Sequence, residues 1–119
     1  DVVQSEYAQG NYVIVGGDFN HALYGSALAF PNKQVYPDWV QEMSDADLPE
    51  HFHFVVPENG LEAPTCRGAD IPYEPGVTYV TCVDGFFVSD NVRVTAENID
   101  TAFANSDHNP VKITFELTE

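Results

Sequence analysis

The stretch VIVGGDFNHAL, residues 13–23, decides how the rest of the sequence is interpreted. A run of β-branched residues ends at two glycines, and Asp18 and Asn20 follow at once. Continuous β-branched residues are typical of a strand with both faces covered, so residues 12–17 predict a buried strand. The polar residues after it are either an Asx turn that closes the strand or a polar site that the strand holds in place.

Composition limits what the chain can be. Its 119 residues suffice for one domain with a single core. The formal net charge is −15, from 19 acidic residues against 4 lysines and arginines. This charge repels phosphate backbones, which argues against non-specific nucleic-acid binding, and it favours divalent cations. Most of these carboxylates are nevertheless expected to form a solvated acidic surface.

Two helices are predicted. Residues 1–11 read as the last turns of an amphipathic helix, and a helix without its beginning suggests a fragment of a longer protein. Pro37 marks the start of a second helix, with Trp39, Val40 and Met43 as its apolar face. No stretch has the roughly 20 apolar residues of a membrane span, and no signal peptide is recognisable.

The remaining chain reads mainly as strands. The last of them, PVKITFEL, alternates apolar and polar residues, as a strand with one buried face does. Strands with two helices predict an α/β or α+β fold, with one mixed, mostly antiparallel sheet and helices on one face. After the strand at residues 12–17, we expect strands at about residues 51–56, 63–68, 78–83, 85–89 and 91–97, and PVKITFEL is the last at residues 110–117.

The two cysteines, Cys66 and Cys82, lie in strand-like arms on either side of a turn. If the arms fold back about Glu74, Cys66 faces Cys82 within disulfide reach. The alternative is two small buried thiols. Oxidation would imply an extracytoplasmic location.

Two further polar clusters follow the first. In VDGFFVS, Asp84 lies among apolar residues, where an unpaired charge is costly, so a histidine or a metal is the expected partner. In NSDHNPV, Asp107 is a carboxylate that can bind a metal and His108 is an imidazole that titrates near neutral pH. Turns explain both clusters about equally well when each is taken alone.

Together the strings VGGDFNH, VDGFFVS and SDHNPV resemble, in order and spacing, the C-terminal signatures of the endonuclease/exonuclease/phosphatase superfamily, whose fold is deoxyribonuclease-like. PTCR, residues 64–67, is similar to bacterial secreted or membrane-attached members. The resemblance spans nearly the whole chain. It implies the C-terminal half of a four-layer α/β sandwich without the N-terminal half, and an extracellular or membrane-attached, extracytoplasmic location.

The resemblance also implies a role for each matching residue. Asp18 would position or activate the attacking water, and Asn20 would contact the scissile phosphate. Asp84 would orient the ring of His108, and His108 would bind the phosphate. Asp107 would help to bind a divalent cation, Mg²⁺ or else Mn²⁺ or Ca²⁺.

The predicted function is that of a fragment of a metal-dependent phosphoesterase acting on nucleic acid, phospholipid or a small phosphoester. The acidic charge favours a small or lipid substrate. Arg67 is a candidate phosphate ligand, with a surface salt bridge as the alternative. The family's other catalytic residues lie in the missing half, so the fragment alone is expected to be inactive. Its apolar sheet face would be exposed and invite dimerisation. The alternative function is a non-catalytic interaction domain that retains the fold.

Overall fold

The computed structural model describes residues 1–34, 37 and 40–118. Over these residues the chain forms one short α-helix, two 3₁₀ turns and nine strands. None of the described helices has the length and apolar character needed to cross a bilayer. The helix α1 is Val2–Ala8, and the strands are β1 Ile14–Asp18, β2 Ala22–Leu23, β3 Glu42–Met43, β4 Phe52–Phe54, β5 Cys66–Arg67, β6 Val80–Thr81, β7 Asp84–Ser89, β8 Val92–Asn98 and β9 Val111–Leu117.

The predicted fold class is wrong. The described strands form four small sheets instead of one, and no layer of helices covers them, so the chain is not half of a helix-packed four-layer α/β sandwich. The largest sheet has the order β1-β7-β4 and is antiparallel. The β5–β6 and β8–β9 pairs are also antiparallel, whereas β2 and β3 are parallel. Alternation of residues predicts that a segment is extended, but not which strands share a ladder.

Of the two predicted helices, the described residues contain the first. The side chain of Asp1 caps α1 by accepting from the N–H of Val3. The helix predicted from Pro37 is wrong where the structure describes it, because Val40 is buried outside any helix and Glu42–Met43 is strand β3. Trp39 lies outside the described residues. A 3₁₀ turn follows at Asp45–Asp47, and the hydroxyl of Ser44 caps it by accepting from the N–H of Ala46.

Both faces of the three-stranded sheet carry apolar side chains. On one face, Ile14 and Val88 are directly opposed and pack against the β8–β9 hairpin. On the other face, Phe54 and Phe87 are opposed and join Phe19 in an aromatic cluster with ring centroids 5.4–6.0 Å apart. This cluster anchors the loop after β1, since Phe19 points away from the face that carries Asp18 and Asn20.

The prediction that residues 12–17 form a strand buried on both faces is wrong. Ile14 and Val15 are half-buried, and Gly16–Asp18 is exposed. The physical reason is that no other described element packs over this end of β1, since a Cβ at Gly17 would meet no atom within 4 Å. A side chain at Gly16 would nevertheless clash, because its Cβ would lie 2.4 Å from the ring of Phe86. The glycine is required for this close approach of ring and backbone.

The cysteine hairpin forms in a register one residue away from the predicted one. Cys66 is opposite Thr81, not Cys82, so the two side chains do not face each other across the ladder. Both cysteines are buried free thiols, which is the alternative that the sequence left open. The thiol of Cys82 donates to the carbonyl of Gly60 at 3.3 Å and lies in the core.

Candidate active site

Two of the predicted site residues are cross-strand neighbours. Asp18 ends β1, Asp84 begins β7, and the antiparallel register places them directly opposite each other. Two carboxylates in this position repel each other. Asp84 is the more buried, with 19% of its side chain exposed against 39% for Asp18. The arrangement therefore needs a positive group close to both.

The loop before β9 brings His108 to this position. His108 forms a bridge to Cys66 at the end of the loop. On one side the N–H of Asn109 donates to the carbonyl of Thr65 at 2.8 Å, and on the other the N–H of Arg67 donates to the carbonyl of Asp107 at 3.0 Å. These backbone bonds make the loop an extra strand-like neighbour of β5 and fix the position of the imidazole.

The imidazole of His108 contacts both carboxylates. Its Nδ1–H donates to Oδ2 of Asp84 at 2.8 Å, and its Nε2 lies 3.8 Å from Oδ2 of Asp18. The predicted contact between Asp84 and His108 is thus present, and it supplies the partner that a buried aspartate requires. Because Asp84 fixes Nδ1 as a donor, Nε2 is the nitrogen directed to Asp18 and the open side of the site.

The surroundings shift the pKa values of this pair. Burial raises the pKa of Asp84, against the opposing effect of the hydrogen bond from His108. Burial lowers the pKa of His108, but the hydrogen bond to Asp84 and the charges of Asp84, Asp18 and Asp107 outweigh it, so the pKa of His108 is raised. The imidazole is therefore held toward its cationic form.

Comparison with known proteins identifies no relative. No family model, no curated protein and no solved structure matches the chain.

Asn20 lies in the turn that follows β1. Its N–H donates to Oδ1 of Asp18 at 2.8 Å, and its φ of 53° is left-handed. The Asx turn left open by the sequence is thus present, and it keeps Asn20 beside Asp18. No hydrogen bond to the Asn20 amide is found in the described part of the chain, so the amide faces solvent next to the carboxylate pair. His21 stabilises the same turn through a 2.8 Å bond between its Nδ1 and the carbonyl of Phe19.

Three groups in this site are close enough to share a metal ion. Ligand atoms of Asp18, Asp84 and His108 all lie within 4.8 Å of one another. Asp107, the predicted metal ligand, is exposed beside His108 and does not belong to that cluster of described residues. The donor chemistry fits a hard cation, since Mg²⁺ is commonly held by one or two carboxylates together with waters and phosphate oxygens.

Arg67 lies at the wall of an open cleft of about 650 Å³, which Asp107 also lines. One guanidinium nitrogen donates to the carbonyl of Gly68 at 3.0 Å, and the buried Nε has no partner. The alternative of a surface salt bridge is not found for Arg67 among residues 1–34, 37 and 40–118. Its charge is therefore available to an anion in the cleft.

Cys66 lies next to the imidazole of His108. Its Sγ is 4.0 Å from Nε2 of His108. Burial, assisted by the charges of Asp84, Asp107 and Asp18, raises the pKa of Cys66 to about 12. The thiol is therefore protonated near neutral pH and is not a nucleophile.

Two residues that position the site were not predicted from the sequence. The hydroxyl of fully buried Thr65 accepts from the N–H groups of Val83 and Asp84 at 3.1 and 3.2 Å, which fixes the start of β7. Asn109 is also buried, and its amide donates to the carbonyl of Pro64 at 3.0 Å. Thr65 lies in the string PTCR and Asn109 in the string SDHNPV, but their partners are distant in sequence. No local pattern indicates them.

Proposed function

We propose that this chain carries catalytic machinery of a divalent-metal-dependent phosphoesterase. The reaction is hydrolysis of a phosphodiester or phosphomonoester. The observation that supports it is the imidazole of His108, which is bonded to Asp84 through Nδ1 and lies 3.8 Å from Asp18 through Nε2. An oriented cationic imidazole at a solvent-open edge suits the charge that develops on a phosphoryl group during transfer.

His108 binds the phosphoryl group in this proposal. With Nδ1 held by Asp84, the Nε2–H of the cation donates to a phosphoryl oxygen and stabilises its negative charge. Asp84 acts as a positioning residue, since it fixes the ring orientation and favours the charged form.

Asp18 activates the attacking water, and Asn20 binds the phosphoryl group that the water attacks. The carboxylate of Asp18 accepts a proton from water, whose oxygen attacks phosphorus. The P–O bond breaks with its electron pair on the leaving oxygen, which takes up a proton from solvent water. The proton on Asp18 returns to solvent, so that ester and water give an alcohol and a phosphate. The Asn20 amide, held beside Asp18 by the Asx turn, donates to the phosphoryl group.

Asp18, which belongs to the cluster of possible ligands, would hold the cation, Mg²⁺ or else Mn²⁺ or Ca²⁺, and Asp107 is the exposed carboxylate outside that cluster that would assist it. A bound cation would neutralise phosphoryl oxygens. Arg67 would bind a second anionic group of the substrate in the adjoining cleft. The net charge of −15 favours a small or lipid phosphoester over a nucleic-acid backbone.

The test uses the complete gene product with Mn²⁺ or Mg²⁺. Bis-p-nitrophenyl phosphate and p-nitrophenyl phosphate serve as diester and monoester probes. We expect metal-dependent release of p-nitrophenol and a loss of about 10²-fold or more in His108→Ala. Failure to hydrolyse either probe, or full activity in His108→Ala, would contradict the proposal.

The chain offers a matched control for this substitution. His51 donates from Nδ1 to Asp90 at 2.8 Å, the same geometry as His108 and Asp84, but outside the carboxylate cluster. His51→Ala should leave the rate of ester hydrolysis unchanged. An equal loss in both variants would attribute the effect to stability and remove the evidence for a role of His108.

A further inference from the structure

The outer edge of β9 is a free strand edge. Within residues 1–34, 37 and 40–118, β9 pairs only with β8. The N–H of Thr118 and the carbonyl of Pro110 are directed to β8, since they bond to Asn91 and Ile99. Alternation along the strand then directs the backbone groups of Ile113 and Phe115 outward. Such an edge is a template for another strand.

The opposite edge of the hairpin is covered. The carbonyl of Ala96 accepts from the N–H of Glu58 at 3.2 Å. The N–H of Asn98 donates to Oδ1 of Asn59 at 2.9 Å, and Nδ2 of Asn59 returns a bond to the carbonyl of Asn98. Loop residues therefore occupy the outer edge of β8, and β9 is the edge left open.

We propose that two copies of this chain associate by antiparallel pairing of their β9 strands, with the two-fold axis at Thr114. In this register Ile113 lies opposite Phe115 of the second copy, and their outward backbone groups form a hydrogen-bonded pair. Thr114 lies opposite itself as a non-hydrogen-bonded pair. Two β8–β9 hairpins then form one four-stranded sheet. The two-fold symmetry uses the β9 edge of both copies, so neither edge remains free for a third copy.

Charge selects this register over its neighbours. Only pairing about Thr114 places Lys112 opposite Glu116 of the second copy, and both ends of the contact gain this pair. Within one copy, Arg93 already lies opposite Glu116, at 3.8 Å, and Glu97 lies opposite Lys112. Across the four strands, Arg93 and Glu116 of one copy are followed by Lys112 and Glu97 of the second copy. The charges of neighbouring side chains therefore alternate in sign. Shifting either strand by two residues places threonine or proline opposite these charges.

The apolar face supports the same arrangement. Phe115 and Leu117 are 52% and 48% exposed at the free edge. Pairing keeps all odd-numbered residues of β9 on one face, so Phe115 gains Ile113 of the second copy as its cross-strand neighbour. Aromatic and β-branched residues favour each other in such pairs. This inference does not depend on the proposed phosphoesterase function.

The test is a disulfide trap at the two-fold axis. In Thr114→Cys the two cysteines would have Cα atoms about 4.5 Å apart, within disulfide range. Thr95→Cys is the matched control, since Thr95 is opposite Thr114 on the same face but about 14 Å from its counterpart, three strand spacings away. Oxidised glutathione takes up the two electrons. We expect Thr114→Cys to form covalent dimers about tenfold faster or more. Equal rates would overturn the proposal.

Sedimentation of the full chain provides a second measurement. The unsubstituted chain should show a concentration-dependent monomer–dimer equilibrium. Phe115→Pro removes an outward N–H without breaking a bond to β8, and it should be monomeric with an unchanged circular dichroism spectrum. A chain that stays monomeric at all concentrations, or a Phe115→Pro variant that still dimerises, would overturn the proposal.

Discussion

Asp18 and Asp84 are opposed residues of two antiparallel strands, and one imidazole contacts both of their carboxylates. Opposed carboxylates alone would weaken the sheet at this point. The imidazole of His108 compensates for this repulsion, and its hydrogen bond to Asp84 orients the ring. The same three side chains therefore stabilise the end of the sheet and form the candidate site.

The first prediction concerns the titration of His108. Asp84→Asn removes the strongest influence that raises the pKa of His108, so that pKa should fall. The measurement is an NMR titration of the histidine ring protons. A pKa of His108 that does not move in Asp84→Asn would mean that the hydrogen bond has no electrostatic effect.

The second prediction concerns the dependence of the free energy of unfolding on pH. Because the folded state raises the pKa of His108, the cation stabilises the fold fully below its unfolded pKa of about 6.5. This contribution is lost as pH rises through the folded pKa. Urea unfolding across that range should show the loss in the natural chain and a flatter profile in His108→Gln. Identical slopes for the two chains would contradict it.

Thr65 should be sensitive to the loss of its hydroxyl. Thr65→Val leaves the N–H groups of Val83 and Asp84 without their buried acceptor, and we expect a loss of about 1–3 kcal/mol in the free energy of unfolding. Urea denaturation measures it. Thr65→Ser is the control, because it keeps the oxygen and should lose clearly less. Equal losses would assign the effect to packing of the methyl group.

Gly16 should tolerate no side chain while Phe86 is present. Gly16→Ala places a Cβ 2.4 Å from the ring, and we expect a loss of about 1–3 kcal/mol in the free energy of unfolding. In Phe86→Leu, which removes the ring, the same substitution should cost less. A double-mutant cycle by urea unfolding gives the coupling. Additive losses would show that the ring does not impose the glycine.

The last prediction concerns α1. Tyr7 and His51 both donate to Asp90, at 2.6 and 2.8 Å, and the two rings stack. The hydrogen bond from Tyr7, followed by that from His51, lowers the pKa of Asp90, so the stabilisation is present above its unfolded pKa and is lost as pH falls through the folded pKa. Hydrogen exchange should show that the amides of α1 lose protection in acid. Asp90→Asn should remove this dependence on pH.

The parts of the fold that the sequence predicted are those with local causes. The helix α1 lies within the predicted residues 1–11, although the sequence predicted a helix without its beginning and Asp1 in fact caps its start. The Asx turn at Asp18 needs only residues two positions apart. The contact between Asp84 and His108 was predicted from the cost of an unpaired charge and from the resemblance between motifs.

The parts that the sequence did not predict depend on contacts between distant residues. The observed register of the hairpin differs from the predicted one by one residue, so Cys66 is not opposite Cys82. No local pattern fixes such a register. The division into four sheets is likewise set by which strands meet. Thr65 bonds the start of a strand 18 residues later, so its role became visible only in the structure.

The opposition of Asp18 and Asp84 has a consequence for the order of events during folding. The two residues are 66 positions apart (84 − 18), and His108 lies 24 positions further along the chain. Closing such long loops is entropically costly, so these contacts form late. During synthesis, residues 18 and 84 leave the ribosome before residue 108. Until residue 108 is available, the two opposed carboxylates lack the imidazole that contacts both, so we expect this end of the β1–β7 ladder to form only after His108 can join it.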